Sequence, residues 1–71
     1  MKAMAMRVTV NGEATEVPAG TSVASLLASL EIEPRGVAVA VDGEVVTRRS
    51  WAVRPLAAGE RVEILSIAQG G

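Results

Sequence analysis

Apolar and polar positions alternate from Met6 onward, with Met6, Val8 and Val10 set against Arg7, Thr9 and Asn11. A period of two marks a strand with one face buried. Asn11-Gly12 follows, a strong signal for a tight hairpin, and the more polar return segment 13–17 meets two breakers at Pro18-Ala19-Gly20. Residues 6–17 therefore read as a hairpin. The period then changes to that of a helix. Val23, Leu26, Leu27 and Leu30 fall at i, i+3, i+4 and i+7, after Thr21 or Ser22 as the cap. Glu33-Pro34-Arg35-Gly36 closes the segment, because a residue before proline is pushed out of the helical region and glycine permits the reversal.

The second half reads as strands again. Val37-Ala38-Val39-Ala40-Val41 suits a central strand covered on at least one face. Asp42-Gly43 makes a second tight turn into a short strand over 44–47. An irregular polar stretch holds Trp51, expected to plug the rim of the core with its ring partly exposed, and Pro55. Ala58-Gly59-Glu60 leads into a last strand over 61–67. The expected architecture is an α+β fold in the order β-β-α-β-β-β: a mixed sheet of four to five strands with one helix on one face, the outline of a ubiquitin-like β-grasp. The preference for right-handed crossovers sets the expectation that the third long strand runs parallel to the first. Residues 1–5 read as a flexible extension, 6–67 as the domain, and 68–71 as a flexible tail.

A chain of 71 residues has room for one small core. It has no Cys and no candidate metal-ligand set, so packing alone must hold the fold. The absence of Cys and the lack of a long apolar stretch at the start point to a cytoplasmic protein. The purest apolar run, 37–41, falls far short of the roughly 20 residues that span a bilayer. Seven basic and eight acidic residues are scattered, and Trp51 is the lone aromatic, so neither a nucleic-acid footprint nor a base-stacking platform is present.

Conventional catalysis lacks its residues, since the chain has no His, Cys or Tyr. Asp42 and Glu44 form the nearest carboxylate pair, and the turn accounts for them. Arg48 and Arg49 read as solvent-facing. Five of the seven glycines stand at expected reversals, whereas Gly70 and Gly71 follow the last strand, where no turn needs them. At a glycine frequency of about 7%, two in succession at a terminus arise by chance in roughly one chain in 200. A frayed end accounts for such a tail equally simply. The functional reading is steric: Ala68, Gln69 and Gly70 thread a narrow passage and present the carboxylate of Gly71 to another protein's active site.

The last strand adds to that reading. If Val62 and Ile64 face the core, Glu63, Leu65 and Ile67 face outward, and the outer surface turns apolar just before the tail. Leu65 and Ile67 are then candidates for docking onto a partner. A register slip of one residue would instead place them in the core.

Taken together, several segments resemble the thiamine-biosynthesis sulfur-carrier family, often called ThiS. They are Val8-Thr9-Val10-Asn11-Gly12; Gly20-Thr21-Ser22-Val23 with Leu26-Leu27; the 37–41 run; Val45-Val46-Thr47-Arg48-Arg49-Ser50-Trp51; and Gly59-Glu60-Arg61-Val62-Glu63-Ile64-Leu65 leading to Gly70-Gly71. The resemblance implies a carrier and not an enzyme. It implies that a ubiquitin-activating-type adenylyltransferase uses ATP and magnesium to adenylate Gly71, that a sulfur donor enzyme converts the product to a thiocarboxylate, and that thiazole synthase consumes the sulfur. It also implies that the chain itself binds no cofactor. Carriers for molybdopterin, cysteine, thiosugar and tRNA thiolation pathways share the fold and tail, and a β-grasp module that is never thiolated is the alternative of a different class.

Overall fold

The computed structural model describes residues 4–67. The elements are β1 (Ala5–Val10), β2 (Glu13–Pro18), α1 (Val23–Ser29), β3 (Val37–Val41), β4 (Glu44–Val46), a 3-10 turn (Arg48–Ser50) and β5 (Arg61–Ser66). They build one five-stranded sheet in the order β2-β1-β5-β3-β4. The last strand in sequence thus lies at the centre of the sheet. With one helix contributing to a single apolar cluster with the strands, this is a β-grasp.

Both tight turns form as expected. Asn11 and Gly12 stand at φ 49° and 85°, Asp42 and Gly43 at 52° and 84°. Positive φ at both central residues is what a type I′ hairpin turn requires. Strand β1 begins one residue earlier than expected, because Ala5 pairs with Pro18. Pro18 itself stays in β2, which is an edge strand, so its missing N–H removes nothing from the ladder.

One expectation about direction is overturned. β5 runs parallel to β1 and antiparallel to β3, so β3 is antiparallel to β1. The strand that enters the helical connection is β2, which is antiparallel to β1. The crossover rule therefore relates β3 to β2, and those two strands share a direction.

The helix start is set by Ser22, not Thr21. The Ser22 hydroxyl accepts from the Ser25 N–H at 3.1 Å, while Thr21 donates to the Pro18 carbonyl at 2.6 Å and closes the preceding turn. The two first helical N–H groups, of Val23 and Ala24, donate to the carbonyls of Arg54 (3.2 Å) and Trp51 (3.0 Å). Donors that a helix end leaves unpaired are thereby met by the loop before β5.

The helix stops earlier than its apolar spacing implied. Ile32 N–H donates to Leu27 and Glu31 N–H to Ala28, at 3.0 and 3.1 Å, the two bonds of a Schellman ending. Glu31 takes the left-handed position, φ 59°, that glycine usually fills. Leu30 becomes the C-cap and is 39% exposed, so it drops out of the expected core face.

The core joins Val8 and Val17 of the first hairpin, Val23, Leu26 and Leu27 of α1, Val39, Val41 and Val46 of the second hairpin, Val62 of β5, and Trp51 and Leu56 from the loop. Trp51 departs from expectation: it is 5% exposed, a full core member. Its indole N–H donates to the Val46 carbonyl at 2.9 Å, which removes the usual need of a buried Trp for a wet edge. The Arg48 guanidinium lies 5.4 Å from the ring centroid and donates to the Pro34 carbonyl at 3.2 Å. Arg48 is therefore a strut between two loops and not simply a solvent-facing charge.

Candidate functional site

Strand β5 is the element that carries the candidate chemistry, because the chain leads from it directly to Gly71. Its inner face holds Val62, 1% exposed, and Ile64, packed against the core cluster. Alternation then turns Glu63 and Leu65 to the opposite face. Leu65 is 59% exposed and Ile67 51%, so both candidate docking residues lie at the surface and the register slip that would bury them has not occurred. Ala68, Gln69, Gly70 and Gly71, the candidate tail, lie outside the described residues.

The sequence pattern accounts for only part of the sheet surface around Leu65. Leu65 pairs across the ladder with Ala38, Glu63 with Ala40, and Ala40 with Val45 on its other side. Val45 is 74% exposed. The face away from the helix therefore carries a contiguous apolar strip, Val45, Ala40, Ala38 and Leu65, with small alanines forming its floor. Toward β1 and β2 the same face becomes charged: Arg61 pairs beside Thr9, and Arg7 opposite Glu16. An apolar strip bordered by charge is a common form for a docking surface.

Two side chains hold β5 in place, and the sequence pattern marks both only as turn residues. The Asp42 carboxylate accepts from the Arg61 N–H at 2.8 Å at the start of the strand. The Asn11 amide reaches Ile64 farther on: its oxygen accepts from the Ile64 N–H at 2.8 Å and its NH2 donates to the Ile64 carbonyl at 3.2 Å. The approach to β5 is fixed by Glu60, whose carboxylate accepts from the Ala57 N–H at 2.8 Å and pairs with Arg54 at 3.4 Å. Those partners are 53 and 19 residues away for Asn11 and Asp42, so no local pattern could have marked them.

Among the described residues no group of three or more acidic side chains is arranged to hold a metal ion. Among them, too, no helix is long and apolar enough to cross a membrane.

Comparison with known proteins gives the same picture over nearly the whole chain. The sulfur carrier protein ThiS of Escherichia coli (strain K12) is 29% identical over 66 residues, covering 93% of this chain and 100% of that protein. The crystal structure of the thiamine biosynthesis protein ThiS from Geobacter metallireducens superposes with a TM-score of 0.81 at 32% identity, over 93% of this chain and 100% of that one. The model of the ThiS family matches residues 6–71, through the last strand and the Gly-Gly terminus, and the chain belongs to that family.

Proposed function

We propose that this protein is a sulfur carrier whose working group is the carboxyl of Gly71. The observation that carries the reading is the family match running unbroken to Gly70-Gly71, beyond a central strand whose outer face is apolar at Leu65. A free carboxylate is a poor electrophile. A Gly71 oxygen attacks the α-phosphorus of ATP in the active site of an adenylyltransferase of the ubiquitin-activating type, magnesium assisting, and pyrophosphate leaves. Hydrosulfide supplied by a donor enzyme then attacks the acyl carbon, the acyl–phosphate bond breaks and AMP leaves, giving a thiocarboxylate with one oxygen replaced by sulfur and releasing the hydrosulfide proton. That sulfur is delivered to thiazole synthase for the thiazole ring of thiamine. The chain is a co-substrate in the cytoplasm, and its partners are the catalysts.

The names of the E. coli and Geobacter relatives support the thiamine pathway over the other carrier pathways. The chemistry is tested by the intact mass after incubation with ATP, magnesium, a ThiS-activating enzyme and a sulfide source. A gain equal to the exchange of one oxygen for sulfur is expected. If no such gain appears with several active activating enzymes, the carrier reading fails and a non-thiolated binding module takes its place.

The apolar strip serves as the docking surface in this scheme. Leu65→Lys places a charge at the β5 end of the strip, nearest the tail, and a buried unpaired charge at an interface costs well over 1 kcal/mol. The expected result is a rise of about tenfold or more in the KM of the activating enzyme for the carrier, with the urea midpoint of the carrier nearly unchanged because the position is exposed. An unchanged KM would remove Leu65 from the docking surface.

A further inference from the structure

Strand β1 gives out before β5 does. Backbone pairing between them covers only Thr9 with Arg61 and Val10 with Val62, followed by the Asn11 N–H to the Val62 carbonyl at 2.8 Å. At that point the hairpin turns away. On its other side β5 remains paired with β3 as far as Val37 and Ser66, and the Ile67 N–H still reaches the Gly36 carbonyl at 2.8 Å. Beyond Val62 the strand would thus be held from one side only, were it not for the Asn11 side chain.

A primary carboxamide offers one acceptor and a donor, the same pair that a peptide group offers. The Asn11 amide uses both on Ile64, at 2.8 and 3.2 Å. It therefore replaces the next peptide that β1 would have contributed, without any chain. Among the described residues none pairs with Ser66 from that side. A strand held on both sides is fixed in twist and tilt, whereas one held on a single edge swings about it.

We propose that Asn11 is a positioning residue for the carboxyl terminus: among the described residues its amide makes Ile64 the last two-sided anchor within β5 and so sets the direction in which the strand leaves the sheet. This rests on the carrier reading for its consequence, since only a terminus that must enter another protein's active site needs a fixed departure. Asp42 supplies the natural control. It makes one bond to the same strand, at Arg61, from the other turn and at the end remote from the terminus.

The test compares Asn11→Gly with Asp42→Gly. Each leaves a Gly-Gly pair, which retains the type I′ turn and removes only the side-chain bonds. Amide hydrogen exchange is read at Ile64 and at core amides such as those of Val39 and Leu26. Single-turnover thiocarboxylation is read at varied carrier concentration. In Asn11→Gly, exchange at Ile64 should accelerate by about tenfold while core amides hold, and the maximal rate should fall by about tenfold from misplacement of the reacting group. KM should stay within about twofold, because β3 still holds Leu65 in the docking face. Asp42→Gly should leave the maximal rate unchanged.

Unaltered exchange at Ile64 in Asn11→Gly would overturn the anchor. Faster exchange with an unchanged maximal rate, or an equal loss of rate in Asp42→Gly, would overturn the positioning role and leave a contribution to stability alone. If the unaltered chain is not thiocarboxylated at all, it is the carrier reading that fails, and the exchange measurement still decides whether Asn11 anchors β5.

Discussion

A chain ending at Gly70 is expected to show no gain of sulfur in the activation assay, with its fold intact. The shortened chain still ends in a glycine carboxylate, so the loss follows from reach and not from chemistry. Each extended residue contributes about 3.3–3.6 Å of length. On the proposed docking through the sheet, the new carboxylate would fall short of the reacting phosphorus by that distance, and a displacement of only about 1 Å can cost some hundredfold in rate. Stability should not change, because the core and every strand pairing named above lie within residues 4–67. Intact mass and a urea titration followed by Trp51 fluorescence measure the two halves of the expectation. Full thiocarboxylation of the shortened chain would sink the tail mechanism, and the exposed strip around Leu65 would then stand as the surface of a binding module.

The features that depend on local pattern are legible in the sequence. Alternation at Met6, Val8 and Val10 marks β1, Asn-Gly and Asp-Gly mark the two hairpins, and the Val62 and Ile64 spacing turns Leu65 outward; each signal spans only a few residues. What could not be read is non-local or lacks an alternating signal. The 37–41 run is apolar at every position, so it cannot reveal which face is open, and the half-buried floor at Ala38 and Ala40 beside exposed Val45 follows only from the strand order. The direction of β3 depends on which strand feeds the helix. The helix end carries no sequence signal, because Glu31 occupies a left-handed position with no glycine to announce it.

Asn11 and Asp42 illustrate the limit most clearly. Both are sufficiently explained by their turns, and a residue with one adequate explanation gives no prompt to seek another. Yet the same short polar side chains that favour positive φ are also those that imitate a peptide group or accept from one. A hairpin that ends beside a longer neighbouring strand can therefore use its turn residue twice, once for the reversal and once to prolong the ladder. Central placement of β5 makes this economical, since both hairpins flank it.

Trp51→Ala is expected to give the largest loss of stability of any single substitution in this chain. The indole is the largest side chain in the core and is 5% exposed, and truncation of a buried aromatic to Ala costs about 3–5 kcal/mol. Small domains hold only about 5–15 kcal/mol in total, with short chains toward the low end, so a substantial unfolded population is expected at room temperature. The damage extends past the cavity. The Val46 carbonyl loses its donor, and the loop that answers the first N–H groups of α1 through the Trp51 and Arg54 carbonyls loses the anchor that places it. Trp51→Phe separates these effects: it keeps much of the ring volume and removes the 2.9 Å hydrogen bond, for an expected cost of about 1–3 kcal/mol. Both variants lack the only aromatic fluorophore, so urea unfolding must be followed by far-ultraviolet circular dichroism. A loss below about 1 kcal/mol in Trp51→Ala would mean that the core closes without the indole, and that the Leu56 side chain, the Arg54–Glu60 pair and the loop's backbone bonds to Thr21, Val23 and Ala24 suffice to hold the loop.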